Sequence, residues 1–164
     1  MEELGIPFRV VETGHANEDY PSSLAGGEIA AYLAGHKSEA YAELIREKQI
    51  LLTADTIVWH GGKELGKPAN RDEAISMIGS LSGSTHQVFT GVCLRSSKKR
   101  TGFFSVTDVT FSHLDPDETE AYVDKFKPFD KAGAYGIQEW IGHIAVERIN
   151  GSYFNVMGLR TKGI

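Results

Sequence analysis

A chain of 164 residues, 41% apolar and 24% charged, can bury a core within one domain. Its net charge of −5 excludes a global basic field for nucleic acid polymers or an anionic membrane, so a polyanion must meet local lysines, backbone amides or a metal. The lone cysteine, Cys93, excludes an internal disulfide. With no signal-peptide pattern and no apolar run of about eighteen residues, the chain reads as cytoplasmic.

In chain order, "GIPFRVVE" (5–12) reads as a short strand and "TGHANEDYPSS" (13–23) as a polar loop. A helix is predicted from about Ala25 to about Lys48, then a strand, "LLTADTIVW" (51–59), turning at His60-Gly61-Gly62 into a return that ends in "LGKP" (65–68). Asn70 with Glu73 resembles a capping box, opening a helix to Leu81 that Gly83 closes. "HQVFTGVCLRS" (86–96) and "FFSVTDVTFSH" (103–113) read as antiparallel strands, and Cys93 as a buried thiol in the first. Asp115, Pro116 and Glu118 open a further helix, and a glycine-rich loop (127–138) precedes predicted strands "HIAVERI" and "YFNVMG". The expected class is α/β, with a mixed, partly antiparallel sheet flanked by helices.

Several residues break this pattern. Asp55 interrupts an apolar strand, where a carboxylate is costly unless paired, hydrogen-bonded or on a metal. Lys37 falls among the rows Ile29/Leu33/Ala40/Leu44 and Ala30/Ala34/Tyr41/Ile45. It either snorkels out to water or meets an anion in a cleft. Lys67 is held between Gly66 and Pro68, as a solvated turn residue or as a point charge for phosphate; the motif is not a Walker A loop. Gln138 sits in apolar company and either bonds backbone or reads a ligand edge. Glu18, in an acidic loop, is solvated or joins Asp55 on a hard divalent cation. His15, His36, His60, His86, His113 and His143 show no zinc-ligand spacing, and serine-hydrolase chemistry is disfavoured.

The order of "ADT" (54–56), "LGKP" (65–68), "LSG" with "HQVFTGV" (81–92), "DKAGAYGIQ" (130–138) and "GSYFNVMGL" (151–159) resembles the Maf family, from Gly5 to Leu159. The resemblance implies a Maf/inosine-triphosphatase-like fold over residues 1–164, with a cleft between two lobes. It implies a nucleoside-triphosphate pyrophosphatase of the dTTP/UTP branch, with Mg²⁺ or Mn²⁺ as cofactor. Asp55 would be the general base and Lys37 and Lys67 phosphate ligands, with Lys131 as a further cation. Glu18 and Asp55 would hold the metal, and Thr56 and Gln138 would select the base. The expected partner is a nucleoside triphosphate, with no nucleic acid polymer or membrane and with a homodimer as assembly.

Two departures from the family pattern stand out. The family's S-x-S-P-R-R loop has no counterpart, and Arg160 replaces the proline of G-L-P, so the chain is expected to be short at both ends and weakly active. A silent nucleotide-binding relative serving septum formation is the rival expectation.

Overall fold

Branched and aromatic side chains suit a pleated surface, and residues 51–60 form β1 (Leu51–His60). In the computed structural model, which describes residues 5–11 and 18–158, β1 turns back through Gly61 and Gly62 into β2 (Lys63–Leu65). Both glycines have positive φ, 59° and 80°, as a two-residue hairpin of matching twist requires. β3 (Thr85–Arg95) and β4 (Arg100–Phe111) form the central hairpin, and β5 (Val146–Asn150) lines the far edge. The sheet has five strands in the order β2-β1-β3-β4-β5, and each pairing among the described residues is antiparallel. With helices packed on it, this is the expected α/β class.

Strand alternation divides the core between two faces. On one face Val58, Val88, Val109 and Phe111 meet α2 (Arg71–Leu81) and α3 (Pro116–Phe126) through Ile78, Leu81, Tyr122 and Val123. On the other, Ile57 and Phe89 meet Ile29, Ala30 and Leu33 of α1 (Gly27–Ala40). Burying each of the Val, Leu, Ile and Phe side chains contributes about 1.5–3 kcal/mol. Gly91 sets how closely α1 approaches: a Cβ there would lie 2.1 Å from the Ala30 carbonyl oxygen. Thr53 Oγ1 donates to the Ala34 carbonyl at 2.7 Å and ties the helix to β1.

Local chemistry sets several boundaries as expected. The Asn70 side chain accepts from the Glu73 amide at 3.0 Å and starts α2, although Glu73 reaches back to the Ala69 amide. Asp115 and Glu118 form a capping box with Pro116 in the first turn of α3. Cys93 is buried and free.

Other expectations are corrected. Residues 5–11 form no strand and are exposed, while Glu12 and the loop to residue 17 lie outside the described residues. α1 ends at Ala40, because the hairpin end stops it: Arg95 donates to the Ser38 carbonyl at 3.1 Å. Beyond it come a 3₁₀ turn, Ala42–Leu44, and Lys48 at φ 64°, so Leu44 leaves the apolar row and is exposed. "HIAVERI" divides between α4 (Trp140–Ile144) and β5. "YFNVMG" forms α5 (Tyr153–Val156), a helical turn in place of a strand, because buried polar groups bind it to the sheet face.

Candidate active site

β2 pairs with β1 only over Val58–His60, so the rest of that β1 edge has no strand partner among the described residues. A cleft of about 290 Å³ surrounds this edge. Consecutive strand residues point to opposite faces, yet both Asp55 and Thr56 line the cleft. Glu18, Lys67, Lys131 and Gln138 also line it, so six of the residues singled out from the sequence come together.

On the α1 face, Lys37 extends the Ile29–Leu33 row by one turn and places its ammonium on Asp55 in a very short contact. Lys37 itself lines a neighbouring trough and reaches the cleft through that carboxylate. Its Nζ is also 3.4 Å from Glu18 Oε1, and Glu18 Oε1 is 3.5 Å from Lys67 Nζ. The order is therefore Asp55–Lys37–Glu18–Lys67. The Asp55 and Lys37 side chains keep 14% and 21% of their exposure, so the pair is shielded yet open to a ligand.

These surroundings tune the groups. Burial pushes Asp55 above the ordinary aspartate value of 3.8, with Lys37 opposing and Glu18 assisting. Burial works against the Lys37 charge, but its bonds to Asp55 and then Glu18 raise its pKa overall. Burial also acts to raise Glu18, and Lys67 and Lys37 outweigh it, so its carboxyl sits below its ordinary value.

On the opposite face the side chain that β1 presents to the cleft is neutral. Thr56 Oγ1 is 2.8 Å from Thr90 Oγ1 and 3.4 Å from the Gly158 carbonyl oxygen. Val156, Met157 and Gly158 form the wall beside it. Gln138 is exposed at the rim, and among the described residues its amide forms no hydrogen bond.

The glycine-rich loop is fixed from below. The Gly133 amide donates to the Gly66 carbonyl at 3.1 Å, joining this loop to "LGKP". Gly133 has φ 67°, and a Cβ there would lie 3.0 Å from Val58. Tyr122 donates to Glu139 and accepts from the Gly136 amide at 3.2 Å. Lys131 lines the cleft, but its ammonium is engaged by Asp130 at 2.9 Å and Glu139 at 3.2 Å.

Three cleft features were not anticipated. Glu64 lines the cleft and accepts a very short hydrogen bond from Tyr20, whose hydroxyl that bond pushes up to about 12. Tyr135 lines it too, with its hydroxyl 2.7 Å from His86 Nε2. The 153–158 segment supplies a wall because it is a turn and not a strand. Only the polar partners Tyr20 and His86, isolated among other residue types, could have signalled the first two.

Among the described residues, no three His, Cys, Asp or Glu side chains gather as a metal cluster. The cleft nevertheless holds four carboxylates, Glu18, Asp55, Glu64 and Asp130, against three ammonium groups, Lys67 and Lys131 in its lining and Lys37 reaching it through Asp55. That excess repels a bare polyphosphate and suits one bound with a cation. One or two carboxylates completed by phosphate oxygens and water is how Mg²⁺ is commonly held, so Glu18 and Asp55 fit such an ion. No described helix is long and apolar enough to cross a membrane.

Comparison with known proteins places these residues in a family. The Maf-like protein family profile matches residues 1–163. The chain is 53% identical over 159 residues to a dTTP/UTP pyrophosphatase of Bacteroides fragilis, covering 97% of this chain and 82% of that protein. It is 50% identical to the Parabacteroides distasonis dTTP/UTP pyrophosphatase with the same coverages. For that of Flavobacterium johnsoniae, identity is 49% over 161 residues, with coverages of 98% and 82%.

Proposed function

The chain belongs to the Maf family, and we propose that its cleft hydrolyses dTTP and UTP to the nucleoside monophosphate and pyrophosphate. The observation that carries this reading is the charge chain Asp55–Lys37–Glu18–Lys67, assembled from separate elements beside the neutral Thr56 face. One side suits a polyphosphate, and the other suits a base.

Asp55 takes a proton from water as the water oxygen bonds to the α-phosphorus and the bond to the bridging β-phosphate oxygen breaks. Its burial favours the role, since a carboxylate lifted above the ordinary aspartate range is a stronger base. Lys37 holds Asp55 in place and lends positive charge to the α-phosphate region. Lys67, 51% exposed at the mouth, meets the β- and γ-phosphates, while Lys131 serves mainly to brace its loop. A divalent cation, Mg²⁺ or Mn²⁺, held by Glu18 and Asp55 with the substrate, would neutralise phosphate charge. Gln138 turns its amide to the pyrimidine edge.

The same proposal places the protein in the cytoplasm as one domain over residues 1–164, acting as a homodimer. Its test is pyrophosphate release from UTP or dTTP with Mg²⁺. Asp55→Asn keeps the shape and removes the base, and is expected to cut turnover about 10²–10⁴-fold with the fold retained by circular dichroism. Unchanged turnover in that variant would remove Asp55 from the role.

A further inference from the structure

We propose that Thr90 and the Asn155 carbonyl form a hydroxyl relay that leaves Thr56 facing the cleft as a hydrogen-bond acceptor only, selecting bases with a ring N–H, as in uracil and thymine. The proposal deepens the nucleotide reading above and rests on it.

The relay begins at an anchored carbonyl. α5 is one turn long, too short to persist alone, and Ser152 gives it no side-chain cap. Asn155, fully buried, holds it instead: Nδ2 donates to the Val88 carbonyl at 3.0 Å and to Thr107 Oγ1 at 3.1 Å. Thr107 also accepts from the Ser152 amide at 3.0 Å. Gly151 permits the close entry, since a Cβ there would lie 2.6 Å from Thr107 Oγ1. The Asn155 carbonyl is thus fixed against β3, and a carbonyl can only accept.

Proton direction follows from that constraint. Thr90 Oγ1 is 2.8 Å from the Asn155 carbonyl oxygen, so its one proton points there. Thr90 is buried, and toward Thr56, at 2.8 Å, it has only lone pairs left to offer. Thr56 must therefore donate to Thr90. The Gly158 carbonyl, at 3.4 Å, is too distant to compete for that proton. Thr56 consequently turns lone pairs and no proton toward the cleft.

A base read at this position must donate. The imide N3–H of uracil or thymine does so, whereas the same ring atom of cytosine is an acceptor and would face another acceptor. Thr90 and Asn155 do not line the cleft, so they are positioning residues acting through Thr56.

The experiment compares kcat/KM for UTP and CTP in the parent, Thr90→Val and Thr90→Ser, with 3-methyl-UTP as a second probe of the parent. The parent should favour UTP over CTP, and over 3-methyl-UTP, by about tenfold or more, the worth of one buried hydrogen bond. Thr90→Val frees the Thr56 proton and should reduce the UTP:CTP ratio about tenfold, and Thr90→Ser should restore it. A purely structural defect would lower both substrates together and leave the ratio unchanged, which overturns the relay. So does a parent that turns over UTP, CTP and 3-methyl-UTP alike, whether or not Thr90→Val folds. A parent releasing no pyrophosphate from any triphosphate overturns the hydrolytic reading instead. The relay is then judged by the ratio of Kd values for UMP and CMP, and equal values or no binding overturn it as well.

Discussion

Asp55 and Thr56 are neighbours in sequence, but the faces they occupy follow opposite rules. Toward α1 the structure places full charges in partial burial: Asp55 against Lys37, linked onward to Glu18 and Lys67. Toward α2 and α5 the groups carried by the strands and α5 are neutral: Thr56, Thr90 and Asn155 bond in sequence, and His86 is kept uncharged by burial, while the charges of Lys131, Asp130 and Glu139 stay on the glycine-rich loop and its flank. One residue of strand register separates them, and the unpaired edge of β1 lets one cleft reach both. A nucleoside triphosphate has the same division, with a highly charged end and a flat polar end.

The charged face should break first. Lys37→Met removes both an ammonium and the restraint on Asp55, and is expected to lower kcat/KM about 10²-fold or more for UTP. Its pH profile sharpens the comparison. Lys37 holds the Asp55 pKa down against burial, so its loss lifts that pKa further above 3.8. The base must be deprotonated to act, so the acid limb of kcat/KM should move to higher pH. A limb that stays in place would show that a different group titrates.

On the neutral face, Gln138→Ala removes an amide with no other partner among the described residues. It should lower the UTP:GTP ratio of kcat/KM roughly ten- to hundredfold, with a smaller effect on kcat. An unmoved ratio would make Gln138 a rim residue without a reading role.

The smallest effect concerns stability. Burial, with His60 assisting, lowers His86 from 6.5 to about 4. Between those values the unfolded chain binds the proton and the folded chain does not, so stability is lost as pH falls through the window. The loss should reach about 2 kcal/mol by pH 5, read from urea unfolding. His86→Leu should flatten this dependence, though it leaves the Tyr135 hydroxyl without its partner at every pH.

Some of this was legible because short-range chemistry fixed it. Asn70 with Glu73 and Asp115-Pro116 with Glu118 satisfy helix amides a few residues away, so α2 and α3 start where expected. Apolar, pleat-filling residue types in "LLTADTIVW" and alternation within "HQVFTGV" marked the strands, and an aspartate in the first marked the cleft. The order of motifs pointed to the family. "YFNVMG" misled because Tyr, Phe and Val favour strands, while its fate was set by hydrogen bonds to Val88 and Thr107, 67 and 48 residues away. The length of α1 misled similarly, since the apolar rows continue past Ala40 but Arg95 caps the helix from across the sheet.

The sequence by itself determined the elements whose reasons lie within a turn or a strand's period, together with the charged and polar residues that break the apolar pattern. Only the tertiary structure decided which of those residues meet. Lys37 reaches Asp55 because Gly91 lets α1 approach the sheet, and Lys131 turns aside because Glu139 lies beneath its loop. Thr56 gives up its proton because a carbonyl a hundred residues on, that of Asn155, faces Thr90. Periodicity assigns a side chain to a face, but proton direction and charge pairing depend on atoms brought near by packing.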